Sequence, residues 1–293
     1  MIRRLAALLL MLCMAALGGC FGEPSPAPTA APDTNDIAGQ DGGNAQTAQA
    51  ALADGTYFAA SDGYSDGWKD FVSFTVEGGR IVKADWDCLP LSGTQLKSTL
   101  AAQGKYVMKQ GGKPWNEQAR EFTDELVRRQ GLASELQADN ADALAGVSIS
   151  VSEASRLFER ARAQGAMPRG ELQDGLYCAQ AQQYGSDGFR ESVSAYISGG
   201  RIVWVNWNAD RQDGGKSKKE LGDQYGMKAN SKIGAEWDAQ AEAFERYVLE
   251  HQGVDGLSTD KDGKTDAISG CTMSVSGAAA LMGQILEQAR AAV

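Results

Sequence analysis

Histidine is almost missing from this chain: His251 is the only one in 293 residues. It stands at a predicted helix end beside Gln252-Gly253, where a side chain able to carry positive charge suits the helix C-terminus better than a metal does. Cysteine is scarce too. None of the five cysteines is spaced for zinc, and none forms the paired pattern that holds haem or an iron–sulfur cluster. There is no glycine-rich phosphate loop and no Rossmann fingerprint, and no constellation of nucleophile and base that would mark a hydrolase. Positive charge is in deficit: 28 Lys and Arg against 38 Asp and Glu leave a net charge of −10, which argues against nucleic acid as a partner. The apolar run from Leu5 to Leu17 falls short of the roughly 20 residues that a permanent membrane span needs.

That run is informative in another way. Arg3 and Arg4 precede it, and it ends in Leu17-Gly18-Gly19-Cys20 before the chain turns polar and proline-rich. This is the pattern of an export signal. Leu17 to Cys20 resembles the bacterial lipobox, which implies removal of residues 1–19, diacylation of Cys20 and an extracytoplasmic protein anchored to the bilayer as a lipoprotein. Residues 20–49 hold Pro24, Pro26, Pro28 and Pro32 among small and polar residues and read as a flexible tether. With Cys13 removed and Cys20 acylated, Cys88, Cys178 and Cys271 remain. An odd number leaves at least one free thiol or an intermolecular bond, and one bridge, Cys88 to Cys178, is compatible with it.

The remainder is a tandem duplication, predicted as domains 50–168 and 169–293. Asp54-Gly55-Thr56-Tyr57 matches Asp174-Gly175-Leu176-Tyr177, and Gly78-Gly79-Arg80-Ile81-Val82 matches Gly199-Gly200-Arg201-Ile202-Val203. Trp86 matches Trp207, Tyr106 and Met108 match Tyr225 and Met227, and Trp115-x-x-Gln118-Ala119 matches Trp237-x-x-Gln240-Ala241. The unit is far longer than a solenoid repeat, so each copy is a domain.

Each copy opens with alternating apolar residues, Val72, Phe74 and Val76 or Val193, Ala195 and Ile197, followed by a glycine pair that predicts a tight hairpin. A long helix follows, Pro114 to Gln130 or Ala235 to Gln252, stopped by Gly131 or Gly253. Its aromatics, Trp115 and Phe122 or Trp237, Phe244 and Tyr247, recur at helical spacing and read as core. Last come a short β-like stretch and a second helix, Glu153 to Ala163 or Ala278 to Ala292, with Ser152 or Ser276 as the expected N-cap. The class is α+β, twice over.

Just before the last helix stands Asp266-Ala267-Ile268-Ser269-Gly270-Cys271-Thr272, and a degraded copy, Asp142-Ala143-Leu144-Ala145-Gly146-Val147-Ser148, stands at the same place in the first repeat. A hydroxyl residue among small neighbours, preceded by an acidic one, is what a transferase needs in order to esterify a side chain.

The Asp-Gly-x-Tyr opening, the Gly-Gly-Arg-Ile-Val hairpin and the Asp-x-x-Ser-Gly-x-Thr heptapeptide together resemble the FMN-binding domain family, over both repeats. The resemblance implies two small FMN-binding domains, each an antiparallel sheet packed with two helices. It also implies a phosphoester between FMN and Thr272, installed by a flavin transferase that recognises Asp266, Ser269 and Gly270. Cys271 stands where that family usually has alanine, which would set a thiol beside the flavin. In the first copy Asp142 and Ser148 match, but Ala145 and Val147 depart, so a second FMN at Ser148 is the less supported expectation. The implied role is electron carriage from a membrane donor to an extracytoplasmic acceptor, with no conversion of substrate by the chain itself. The alternative is a non-redox surface lipoprotein whose duplicated fold binds a partner or small ligand without flavin. From the residues themselves, amides near the start of the last helix offer a seat for the phosphodiester.

Other features read as structural. Tyr57, Tyr177, Tyr64, Tyr184, Tyr106 and Tyr225 offer rings that could stack on a flavin, but their repetition fits packing equally well. Asp260-x-Asp262-Gly263 lacks the full spacing of a calcium loop. Lys216-Ser217-Lys218-Lys219 reads as a solvated loop.

Overall fold

The computed structural model describes residues 52–108, 112–132, 144 and 146–291. The expected signal peptide, the lipidation site Cys20, the tether and Asp142 lie outside the described residues. Both repeats belong to one compact unit, Gln49–Val293.

The first copy is built from β1 (Gly55–Ala60), β2 (Trp68–Glu77) and β3 (Arg80–Pro90), followed by α1 (Lys97–Ala102), α2 (Trp115–Arg129) and α3 (Ser152–Gln164). The second repeats the order with β4 (Gly175–Gln180), β5 (Phe189–Ser198), β6 (Arg201–Arg211), α4 (Lys218–Leu221), α5 (Trp237–His251) and α6 (Ser276–Ala291). Each sheet is antiparallel, in the order β1-β2-β3 or β4-β5-β6, so β3 and β6 are edge strands. The protein is thus α+β with two tandem copies, as the duplication and the alternation predict.

The hairpin and the Asp-Gly opening form one device. Both glycines of each pair take positive φ (58° and 72° in the first copy, 60° and 76° in the second), as a two-residue turn matched to strand twist requires. Asp54 Oδ1 accepts the Gly79 N–H at 2.9 Å, and Asp174 accepts those of Gly199 and Gly200 at 3.0 and 2.8 Å. The backbone N–H groups of Gly79 and Gly78 hold the Asp54 carboxyl below its usual range.

Alternation then sorts each sheet into two faces. In the first copy Val72, Phe74, Val76 and Trp86 meet α2 and α3, with Trp86 packed edge-on to Trp115 and Phe122, both at 5.4 Å. In the second, Trp207 meets Trp237 and Phe244 the same way at 5.3 and 5.2 Å. Full burial of one such ring contributes about 2 kcal/mol. Of the five predicted helix aromatics four are buried, while Tyr247 is half-buried and stacks on His251.

The other sheet faces meet each other. Phe71, Leu89 and Trp204 form a small separate core, Phe71 lies 4.6 Å from Tyr196, and Ser73 and Ser198 share a buried hydrogen bond of 3.0 Å. Trp204 Nε1 donates to Tyr64 Oη at 3.0 Å, and Asn206 and Asn208 both donate to the Leu91 carbonyl at 2.9 Å. The layers run helices, sheet, sheet, helices.

Five local expectations are corrected. The stretch before each second helix is irregular loop, not strand, because its backbone bonds go to turns and to a glutamine described below. Ser152 and Ser276 are the first helical residues, not N-caps; Val151 holds the α3 cap position, and no side chain caps there. Each long helix ends on a left-handed glutamine before its glycine, Gln130 (φ 61°) and Gln252 (φ 57°). Their amides clamp the hairpin, accepting the Ile81 or Ile202 N–H and donating to the same residue's carbonyl, at 2.8 to 3.0 Å. Lys218 and Lys219 are not in a solvated loop: they open α4, and their side chains are buried. Cys88, Cys178 and Cys271 are all free, so no Cys88–Cys178 bridge forms.

Candidate functional site

The heptapeptide of the second copy lies in the loop between α5 and α6. Ile268 and Cys271 turn into the core, whereas Asp266, Ala267, Ser269 and Gly270 are exposed and Thr272 is half-buried. Two apolar anchors hold the loop down and leave its polar residues outward. Gly270 has φ 84°, a left-handed conformation that glycine adopts without steric cost. Upstream, Asp260 Oδ1 accepts the N–H groups of Asp262 and Lys264, both at 2.9 Å, which makes the aspartate pattern a turn. Among the described residues no cluster suited to a metal ion occurs.

The residue that positions Thr272 was not singled out by sequence. Gln240, fully buried on α5, accepts the Thr272 N–H at 2.8 Å and the Thr272 hydroxyl at 3.2 Å through the same Oε1. Its amide nitrogen is spent on Ser231 Oγ and the Ala235 carbonyl, at 3.2 and 3.3 Å. These bonds fix the amide orientation, so the oxygen must face Thr272. The first copy repeats this. Gln118 Oε1 accepts from the Ser148 N–H at 2.6 Å, the Ser148 hydroxyl at 3.1 Å and the Ile149 N–H at 3.2 Å, while Gln118 Nε2 donates to the Lys113 carbonyl. Val147 takes the buried place of Cys271, Gly146 has φ 88°, and Ser148 is exposed. The available signal was a polar residue recurring on the apolar face of a helix, Trp-x-x-Gln-Ala, in both copies.

The remaining predicted residues separate from the motif by degrees. Burial raises the Cys271 thiol and keeps it protonated, so it fills core space as a small apolar side chain. Tyr57 stacks on Phe74 at 4.5 Å inside the first core. Tyr106 and Tyr225 face lysines. Lys97 Nζ lies 4.8 Å from the rings of both Tyr106 and Trp115 and 5.8 Å from Trp68. Lys218 Nζ lies 4.9 Å from Tyr225, 5.1 Å from Phe189 and 5.4 Å from Trp237. Burial is the largest single influence and works against the Lys218 ammonium, but Asp187, bonded at 2.8 Å, and Tyr225 together outweigh it and raise its pKa. Met227 joins this box to the site, its sulfur 4.0 Å from Gln240 Nε2.

The first turn of α6, expected to seat a phosphodiester, already meets a carboxylate. A Cβ on Gly277 would lie 2.3 Å from Glu191 Oε2, so a side chain there would displace that carboxylate, and burial raises the Glu191 carboxyl.

No protein-family model matches the chain, and no curated protein does. Among solved structures it is similar to an NMR structure of a protein from Clostridium thermocellum, 35% identical, the match covering 40% of this chain and 92% of that one with a TM-score of 0.33. It is also similar to a crystal structure of a protein from Clostridium perfringens, 20% identical, covering 41% of this chain and 91% of that one with a TM-score of 0.32.

Proposed function

We propose that the chain is a membrane-anchored extracytoplasmic flavoprotein that carries electrons on FMN esterified to Thr272. The observation that supports this reading is the hold of Gln240 on Thr272: a hydroxyl at a fixed place, half-exposed, in a loop whose neighbours Ser269 and Gly270 are open to an approaching transferase. The accessibility and small size of these residues fit a bulky phosphoester. The bound flavin supplies the redox chemistry. Gln240 orients the acceptor oxygen, Ile268 and Cys271 pin the loop, and Gly270 supplies its turn. Anchoring through Cys20 and the tether 20–49 gives the domains reach between a membrane donor and an extracytoplasmic acceptor.

A second reading has its own support. Gln118 holds Ser148 in the same way although the first motif has lost its serine, so the bond also serves as a plain tie between α2 and the loop. On that reading the protein is a surface lipoprotein that binds a partner or small ligand without flavin.

Co-expression with a flavin transferase, digestion and mass measurement of the Thr272 and Ser148 peptides separates the two. A gain equal to FMN minus water on the Thr272 peptide, lost in Thr272→Ala, is expected. An unmodified peptide, under conditions that flavinylate a known family member, overturns the electron-carrier reading.

A further inference from the structure

The two copies treat one place in the fold differently. In each, an edge strand, a short helix and a long helix surround a cleft, β3 with α1 and α2 or β6 with α4 and α5. The second copy fills it. Lys219 and Glu245 form an ion pair of 2.6 Å with side chains only 6% and 11% exposed, and Glu245 Oε1 also accepts the N–H of Trp207 on the free edge of β6, at 2.7 Å. The matched positions in the first copy are Ser98 and Thr123. The equivalence is secured by the helix starts, where the Ser98 N–H meets Asp87 Oδ1 at 3.0 Å and the Lys219 N–H meets Asn208 Oδ1 at 3.2 Å.

With both long side chains absent, a cleft of about 640 Å³ opens beside β3, lined by Trp86, Asp87, Ser98, Asn116 and Thr123 and walled by Tyr196 of the second copy. Three polar groups there stand differently from their counterparts. No side chain among the described residues accepts from the backbone N–H of Trp86, the counterpart of the one that Glu245 takes, while the Trp86 indole N–H donates to Asp70 Oδ1 at 3.1 Å; Thr123 instead donates to the Arg120 carbonyl at 3.0 Å. Asp87 is 7% exposed and is met by Ser98 and backbone N–H groups, with no ammonium or guanidinium paired to it, where the second copy has a neutral asparagine. Asn116 Oδ1 is buried and accepts no hydrogen bond. Buried polar groups left this way are costly, and a ligand able to satisfy them binds favourably.

We infer that this cleft binds a small zwitterion of the free amino acid type. Its carboxylate takes the Trp86 N–H, as Glu245 takes that of Trp207, and its ammonium lies between Asp87 and Asn116 Oδ1. The apolar part of the ligand lies along Trp86 and Tyr196. Nothing in this depends on flavin at Thr272, because neither Gln240 and Thr272 nor Gln118 and Ser148 are among the residues lining the cleft.

Calorimetric titration of the full chain with the twenty common amino acids and 4-aminobutyrate, and with n-butylamine and butyrate as single-charge controls, tests the assignment. At least one zwitterion should bind saturably and at least about tenfold more tightly than either control. Ser98→Lys with Thr123→Glu, which installs the ion pair of the second copy, should abolish binding while circular dichroism stays unchanged. Asp87→Asn, a substitution that the second copy already carries, should weaken binding about tenfold or more and serves alone if the double variant does not fold. Absence of saturable heat across the panel overturns the site, as does binding unchanged in either variant. Binding of n-butylamine as tightly as of any zwitterion overturns the ligand class.

Discussion

The two copies share their hairpin turns, their stacked tryptophans and their glutamine ties, yet they differ where charge is buried. In the second, Lys219 and Glu245 bury an ion pair against the edge of β6; in the first, Ser98 and Thr123 stand in their place and Asp87 replaces Asn208. A duplicated fold therefore conserves what holds its layers together and varies what fills its clefts. The first kind of residue works through geometry that both copies need. The second works through local charge balance that each copy can strike separately.

The largest test of this contrast is Lys219→Met. It leaves the Glu245 carboxylate buried and unpaired and should cost about 3–5 kcal/mol in chemical denaturation. Thr123→Val, at the position matching Glu245, should cost less than about 1 kcal/mol. Equal losses would erase the distinction between the copies. Next come Gln240→Ala and Gln118→Ala. Each removes a buried acceptor shared by two or three donors and should cost about 2–3 kcal/mol, with faster amide exchange at Thr272 or Ser148. Unchanged exchange would mean that the glutamines do not hold the loops.

Asp87 yields a pH test. Burial raises its carboxyl to about 6, against the pull of Ser98 and the backbone donors. A carboxyl with a raised native pKa favours the folded state when protonated. Its contribution is full below the unfolded value near 4 and is lost as pH rises through about 6. Asp87→Asn should therefore stabilise the protein by about 2 kcal/mol at pH 7.5 and flatten the dependence between pH 4 and 6, read from urea midpoints. A gain that is the same at pH 4 and at pH 7.5 would refute the titration of Asp87. Gly270→Ala is expected to cost about 1–2 kcal/mol because alanine resists φ 84°, although its Cβ would rest an ordinary 3.7 Å from Ala243. Gly146→Ala should cost somewhat more, because its Cβ would also meet the Lys113 Nζ at 2.6 Å and displace that side chain; an equal cost would show that the side chain gives way freely.

Sequence periodicity made the sheets legible because strand side chains alternate whatever lies beyond them: Val72, Phe74 and Val76 turned inward as read. Gln118 and Gln240 were in plain view as repeated letters, but their role depends on a loop some 30 residues later reaching them. Ser217, Lys218 and Lys219 misled for a related reason. A run of lysines suits water in isolation, and here Asp187, Glu245 and three aromatic rings draw the ammonium groups inside.

By itself the sequence determined that the fold is duplicated, that each copy is an antiparallel sheet with helices, and that one hydroxyl-bearing motif recurs in both. These are properties of local pattern and of comparison within one chain, and neither needs contacts in space. Only the tertiary structure decided that the two sheets pack back to back through Phe71, Trp204 and Tyr196, that buried glutamines hold the motif hydroxyls, and that one copy closes with an ion pair the cleft that the other leaves open. Those outcomes rest on side chains more than 20 residues apart meeting out of water, where a charge or a hydrogen bond is satisfied or not according to its neighbours in space, which one-dimensional pattern does not encode.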